Sequence, residues 1–372
     1  MATSKTIRID IGQYTMLLWC VFCCFVLLFA SCSKDSIEEI ETGVPIRFSG
    51  TVSTKASVID QSNLNMIGVF GYYTGTESWE EVASAMPGGL PNYFLNEPVA
   101  KNGSIWSYDE DYPRYWPADT RNKISFFAYA PYEGDSGFSL LELYPTNATE
   151  DGEPRLTYSV PGNALDQLDL LWGASIDKTK DNDGGTVIFD MNHALTKISF
   201  SALMSSDLLG SDNTIEITEI TIAGVYNDGE LFLSNGQWTL EPTTGNFTLD
   251  GSHLENTLFD SKFIGDPMDG NVRNDYKSRP VIKDDCYLMM LPQQMTNNSI
   301  LSITLDITTV SIAAVTRTET LSFNFPLLDA SIKSVWEPGK SIEYNFTLKH
   351  GFVDFDVNVR SWEDEVLPSI LY

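Results

Sequence analysis

Short runs rich in Val, Ile, Thr, Tyr and Phe alternate with Gly, Asn, Asp and Pro along most of the chain, the pattern of strands joined by turns. Residues 44–54 (VPIRFSGTVST) place Val44, Ile46 and Phe48 on one face. Residues 214–222 (TIEITEITI) alternate almost strictly, with Ile215, Ile217 and Ile222 apolar, and 301–307 (LSITLDI) and 321–325 alternate too. Residues 66–73 and 124–129 are more continuously apolar, as strands in a sandwich core can be. No long segment sustains a 3.6-residue period, and a short helix around 78–86 is the main helical candidate. Many short strands with turn signals predict an all-β protein built from sandwiches rather than a βαβ sheet.

Size turns that pattern into two domains. The chain has 372 residues, more than one sandwich needs. The predicted boundary lies near Asn192, after a strand at 187–190 and before one at 195–202 (LTKISFSA). The domains are then 44–192 and 193–372. Between 177 and 185 (DKTKDNDGG) the charge and glycine predict a surface turn. The hydrophobic fraction of 42%, with 12% aromatic residues, is enough to bury a core. Against 51 acidic residues stand 23 basic ones, a net charge of −28, which argues against nucleic-acid binding and against electrostatic adhesion to anionic lipid.

The first residues follow other rules. Lys5 and Arg8 precede a continuous apolar run at 16–30, too short to span a bilayer as a helix, and it ends in small residues. Residues 1–31 therefore read as a signal peptide. Ala30-Ser31-Cys32 resembles a bacterial lipobox, with Phe29 where Leu is usual. Acylation (palmitate-type chains) of Cys32 would anchor the protein to the outer membrane, with 32–43 as a charged tether. Simple secretory cleavage or a retained anchor is the other reading. Cys20, Cys23 and Cys24 leave with the signal peptide, so only Cys286 remains and no internal disulfide forms.

Catalytic patterns are missing from the sequence. His193, His253 and His350 stand at no metal-ligand spacing, and no GxSxG, P-loop or GxGxxG motif is present. The chain is read as no enzyme, with no cofactor and no metal. Asp181-Asn182-Asp183-Gly184 faintly echoes a calcium loop, but Thr179 stands where its first Asp belongs, and a solvated hairpin tip is the plainer reading. Aromatic residues crowd 72–116, where most serve as core. Exposed ones among them would form an adhesive face for a host or glycan ligand, with Trp79, Trp106, Tyr112 and Trp116 as candidates.

Several of these stretches, in order, resemble the fimbrillin and Mfa-like surface lipoproteins of Bacteroidota, the type V pilus proteins. They are Ile46-Arg47-Phe48-Ser49, residues 67–73 (IGVFGYY), Tyr115-Trp116-Pro117 with 124–131 (ISFFAYAP), 169–174 (DLLWGA), 336–341 (WEPGKS) and Trp362-Glu363-Asp364. Residues 33–41 resemble the surface-export signal of such lipoproteins. The resemblance implies two transthyretin-like β-sandwich domains in tandem and a pilus subunit, anchor or tip, involved in cell adhesion. It also implies removal of the first strand after an Arg, where this chain has Lys55, and filling of the vacated groove by another subunit's C-terminal strand. Residues 351–360 (GFVDFDVNVR) fit such a donor, with Val353, Phe355, Val357 and Val359 on one face, and equally fit a strand of their own domain. Other pilus subunits are the implied partners. The alternative is a non-polymerising surface lipoprotein that binds glycans.

Overall fold

Both kinds of apolar run become strands, and the difference between them records how many faces each strand buries. The structure, a computed structural model, describes residues 43–52, 64–85, 89–103, 105–109, 111–134, 141–209, 211–263, 274–284, 286–311, 315–329 and 334–361. In chain order come β1 (Arg47–Val52), β2 (Met66–Gly75), α1 (Trp79–Ser84), β3 (Phe94–Asn102), β4 (Ile105–Ser107), β5 (Lys123–Ala130), β6 (Leu141–Tyr144), β7 (Arg155–Ser159), β8 (Leu171–Lys178) and β9 (Thr186–His193). They are followed by β10 (Thr196–Met204), β11 (Asn213–Tyr226), β12 (Asp228–Phe232), β13 (Trp238–Leu240), β14 (Thr244–Leu249), β15 (Leu258–Asp260), β16 (Arg279–Pro280) and β17 (Leu288–Met290). The last are β18 (Gln293–Gln294), β19 (Ile300–Val310), β20 (Thr316–Pro326), β21 (Val335–Trp336), β22 (Lys340–Lys349) and β23 (Phe352–Ser361). Among the described residues the protein is all-β apart from α1 and short 3-10 turns. α1 starts where the sequence predicts a helix, because Ser78 and Glu81 form a reciprocal capping box.

The early strands close into a barrel in the order β1-β4-β3-β2-β5-β8-β9. Closure depends on β1. It runs parallel to β9 from Arg47↔Thr186 to Val52↔Met191, and meets β4 antiparallel at Phe48↔Trp106. The later strands make two sheets. One has the order β16-β10-β22-β23 with β17 beside β10, the other β14-β11-β19-β20 with β15 beside β11. Ile198 and Phe200 on β10, Ile342 and Phe346 on β22, Ile217 on β11 and Ile303 on β19 share one hydrophobic core.

The doubly apolar strands separate two cores. Ile67 and Val69 of β2, with Ile124, Phe126 and Ala128 of β5, fill the barrel. Phe70 and Tyr72 of β2, with Phe127 and Tyr129 of β5, point the other way into the larger core. There they meet Leu141, Leu156 and Tyr158 of a further sheet, β13-β12-β7-β6. That sheet takes strands from both sides of Asn192, through pairs from Asp228↔Ser159 to Phe232↔Arg155.

The junction after β9 is tied by specific bonds. Ala194 donates to the Leu170 carbonyl at 2.7 Å, and the Trp238 indole donates to the Ala194 carbonyl at 2.9 Å. His193 Nδ1 lies 2.7 Å from Asp169 Oδ1, both side chains buried. Gly236, at φ +71°, turns the β12–β13 hairpin against Trp172, where an added Cβ would sit 2.1 Å from the indole ring.

Candidate functional site

β1 is the strand on which the barrel's closure depends, and its groove is the candidate site. Ile46 and Phe48 point inward and are buried. The Phe48 ring sits edge-on to Phe94 (5.4 Å between centroids), Tyr108 (5.7 Å) and Phe126 (5.8 Å), and stacks on Phe189 at 6.1 Å. Elements far apart in sequence supply this pocket: β3, β5, β9 and the segment after β4. At the leading end, Ile46 donates its amide to the Arg114 carbonyl at 2.9 Å, and Pro45 bridges Tyr115. Thr51 donates to Asp190 Oδ1 at 3.0 Å at the trailing end. Burial raises the Tyr108 and Tyr93 hydroxyls above the ordinary phenol value, so both remain donors at neutral pH.

The C-terminal strand carries the complementary pattern. Val353 is buried, and Phe355, Val357 and Val359 are partly buried against the larger core. Phe355 lies 4.7 Å from Phe325 and 6.1 Å from Tyr344. β23 pairs along its whole length with β22, from Lys340↔Ser361 to Lys349↔Phe352, and ends its sheet. In this structure these residues lie in their own sheet. Phe352, which breaks the alternation, faces outward under the Lys349 ammonium at 4.9 Å.

The aromatic candidates need correction. Trp79, Trp106 and Trp116 are only 5–6% exposed and offer no adhesive face. Trp79 opens α1 and packs on Phe127 at 4.7 Å and Tyr72 at 5.0 Å. Trp106 faces the barrel interior opposite Phe48, and Trp116 turns inward to donate from its indole to the Gly185 carbonyl at 2.8 Å. Tyr112 is 75% exposed, and it is accompanied by Tyr115 at 42% and Tyr73 at 37%, neither of them among the candidates. Alternation along β2 would have flagged Tyr73, which lies on the opposite face from buried Tyr72.

Lys55 and Cys32 lie outside the described residues, as do 362–372. The 181–184 turn is exposed, with Asp183 at φ 47° and Gly184 at φ 65°. Among the described residues no group of three or more His, Cys, Asp or Glu side chains is placed to hold a metal. Cys286 is a buried free thiol.

A family model described as fimbrillin-like matches residues 54–362. The chain belongs to the fimbrillin-like family. A fimbrillin-like chain thus has its family match beginning just after β1. It is 26% identical over 373 residues to the fimbrium subunit Fim1C of Phocaeicola vulgatus, covering 91% of this chain and 94% of the relative. Among solved structures, a fimbrial protein from Bacteroides vulgatus superposes with a TM-score of 0.64 at 22% identity, covering 86% of this chain and 99% of that one. That likeness shows the fold.

Proposed function

We propose that this chain is a surface-exposed pilus subunit, structural or accessory, that serves cell adhesion and assembles by β-strand pairing between subunits. It is a non-catalytic protein of two tandem β-sandwich domains, 44–192 and 193–372, tethered to the outer membrane through lipidated Cys32. One observation carries the reading: the barrel is closed by a strand near the start of the chain, while an edge strand near its end repeats that strand's apolar spacing. Val353, Phe355 and Val357 follow the order of Ile46, Phe48 and Gly50, an aromatic residue between two smaller ones. Another subunit's β23 would lie parallel to β9 and seat Phe355 where Phe48 now sits. Main-chain bonds to β4 and β9 would supply affinity, and the Phe48 pocket would supply register. Lys55, in place of Arg, is the processing point under this reading, and cleavage there releases β1 together with the lipidated Cys32, so the tether belongs to the unprocessed chain.

The test is a denaturing gel of unboiled cell envelopes, blotted for this protein, beside a version truncated after His350. A ladder that collapses on boiling and vanishes in the truncation is expected. Phe355→Asp should abolish the ladder and Phe352→Asp, on the outward face, should keep it. A single band near the monomer mass in the intact chain sinks the assembly mechanism. The second reading is a non-polymerising lipoprotein that binds glycans, and the exposed Tyr73, Tyr112 and Tyr115 favour it.

A further inference from the structure

The leading end of β1 and the exposed tyrosines share one set of hydrogen bonds. The Tyr108 hydroxyl accepts from the Arg114 amide at 3.0 Å. It lies 3.2 Å from the Ile46 carbonyl and 3.3 Å from the Arg114 carbonyl, and divides its single proton between them. The Arg114 carbonyl in turn accepts from the Ile46 amide. Arg114 is held in place by its guanidinium, 4.6 Å over the Phe94 ring and 3.4 Å from Glu97. Tyr93 donates its hydroxyl to the Tyr115 carbonyl, and Trp116 fixes the end of the segment on Gly185. Tyr112 and Tyr115, two of the exposed aromatic residues, lie on this same short stretch.

We propose that Tyr108 with residues 111–115 forms a clasp that reads whether a strand fills the β4–β9 groove, so that occupancy sets the arrangement of Tyr112 and Tyr115. With the groove empty, Ile46 withdraws one donor and one acceptor from the clasp. The Arg114 carbonyl and the Tyr108 hydroxyl lose their strand partners, and Tyr115 loses its bridge to Pro45. The tyrosine surface is thus one surface in a filled subunit and another in an emptied one. This inference rests on the contacts of β1 and not on polymerisation, so a missing gel ladder would leave it standing.

Hydrogen exchange on the full-length protein tests it, with Tyr93→Phe, Tyr108→Phe and Thr51→Ala. Among the described residues Tyr93 hydrogen-bonds the clasp and not β1. If the clasp holds the strand, Tyr93→Phe speeds exchange about fivefold, the loss of one hydrogen bond, in 45–49 as well as in 111–116. Tyr108→Phe does the same in both stretches, and Thr51→Ala speeds exchange only at 50–52. Faster exchange confined to 111–116 in Tyr93→Phe overturns the proposal, because clasp and strand then open independently. Unchanged protection of β22 marks each variant as folded. Should Tyr108→Phe lose it, Tyr93→Phe decides alone.

Discussion

Replacing Phe48 with alanine empties the centre of the β1 groove. The lost ring touches Phe94, Tyr108, Phe126 and Phe189, at centroid distances from 5.4 to 6.1 Å. Truncating a buried Phe to Ala costs about 3–5 kcal/mol, from lost transfer energy plus the cavity left behind. The remaining barrel contacts do not pass through this side chain, so the loss falls on local opening of β1. At about 1.4 kcal/mol per tenfold, the opening equilibrium shifts by roughly two to three and a half orders of magnitude. Native-state hydrogen exchange reads this directly. Protection at 47–52 should fall by that factor, while 342–348 of β22, lying between β10 and β23, keeps its own. A fall below about tenfold at β1 would mean that the surrounding rings collapse into the space and that Phe48 is no anchor. An equal fall in β22 would mean that β1 opens only with the whole molecule. Either result refutes the reasoning.

Two further changes test other parts of the fold. Gly236→Ala forces a Cβ into the Trp172 ring at a positive φ and should cost about 1–3 kcal/mol, read as a lower denaturant midpoint with an unchanged slope. Burial raises the Glu153 carboxyl above its ordinary value, against the lowering effect of Arg155. The folded state therefore holds that proton more tightly than the unfolded chain. This stabilising contribution is complete below the unfolded value and is lost as pH rises through the folded one. Glu153→Gln keeps an oxygen for the Ser234 hydroxyl and should raise the melting temperature at pH 7 but not at pH 4. A rise at both would point to packing instead.

Much of the fold was legible because burial leaves a period in the sequence. The alternation at 214–222 slips between Ile217 and Ile220, and the structure puts a bulge between Ile217 and Glu219, so Ile215, Ile217, Ile220 and Ile222 all face the core. The continuous apolar runs at 66–73 and 124–129 form β2 and β5, and each is shared between two cores. The parallel pairing of β1 with β9 left no such trace, since its partners are more than a hundred residues apart and period alone does not name a neighbour. Side-chain type also misled for Trp79, Trp106 and Trp116. A large amphipathic ring is consistent with either a core or a surface, and only the contacts of Phe127, Phe48 and Gly185 decide. The candidate donor residues were legible as a one-faced strand, but an edge position is a property of the sheet.

The parallel course of β1 along β9 has a consequence for symmetry. If a strand from another copy takes that place, the groove and the strand that fills it are different parts of the chain, so the joint is heterologous. No two-fold axis relates the partners, and each subunit that donates keeps an acceptor to offer. Unless the rotation per subunit closes a ring, such contacts generate an open filament with two unlike ends. Growth then has a direction, inherited from the N-to-C sense in which Arg47 to Val52 runs beside Thr186 to Met191.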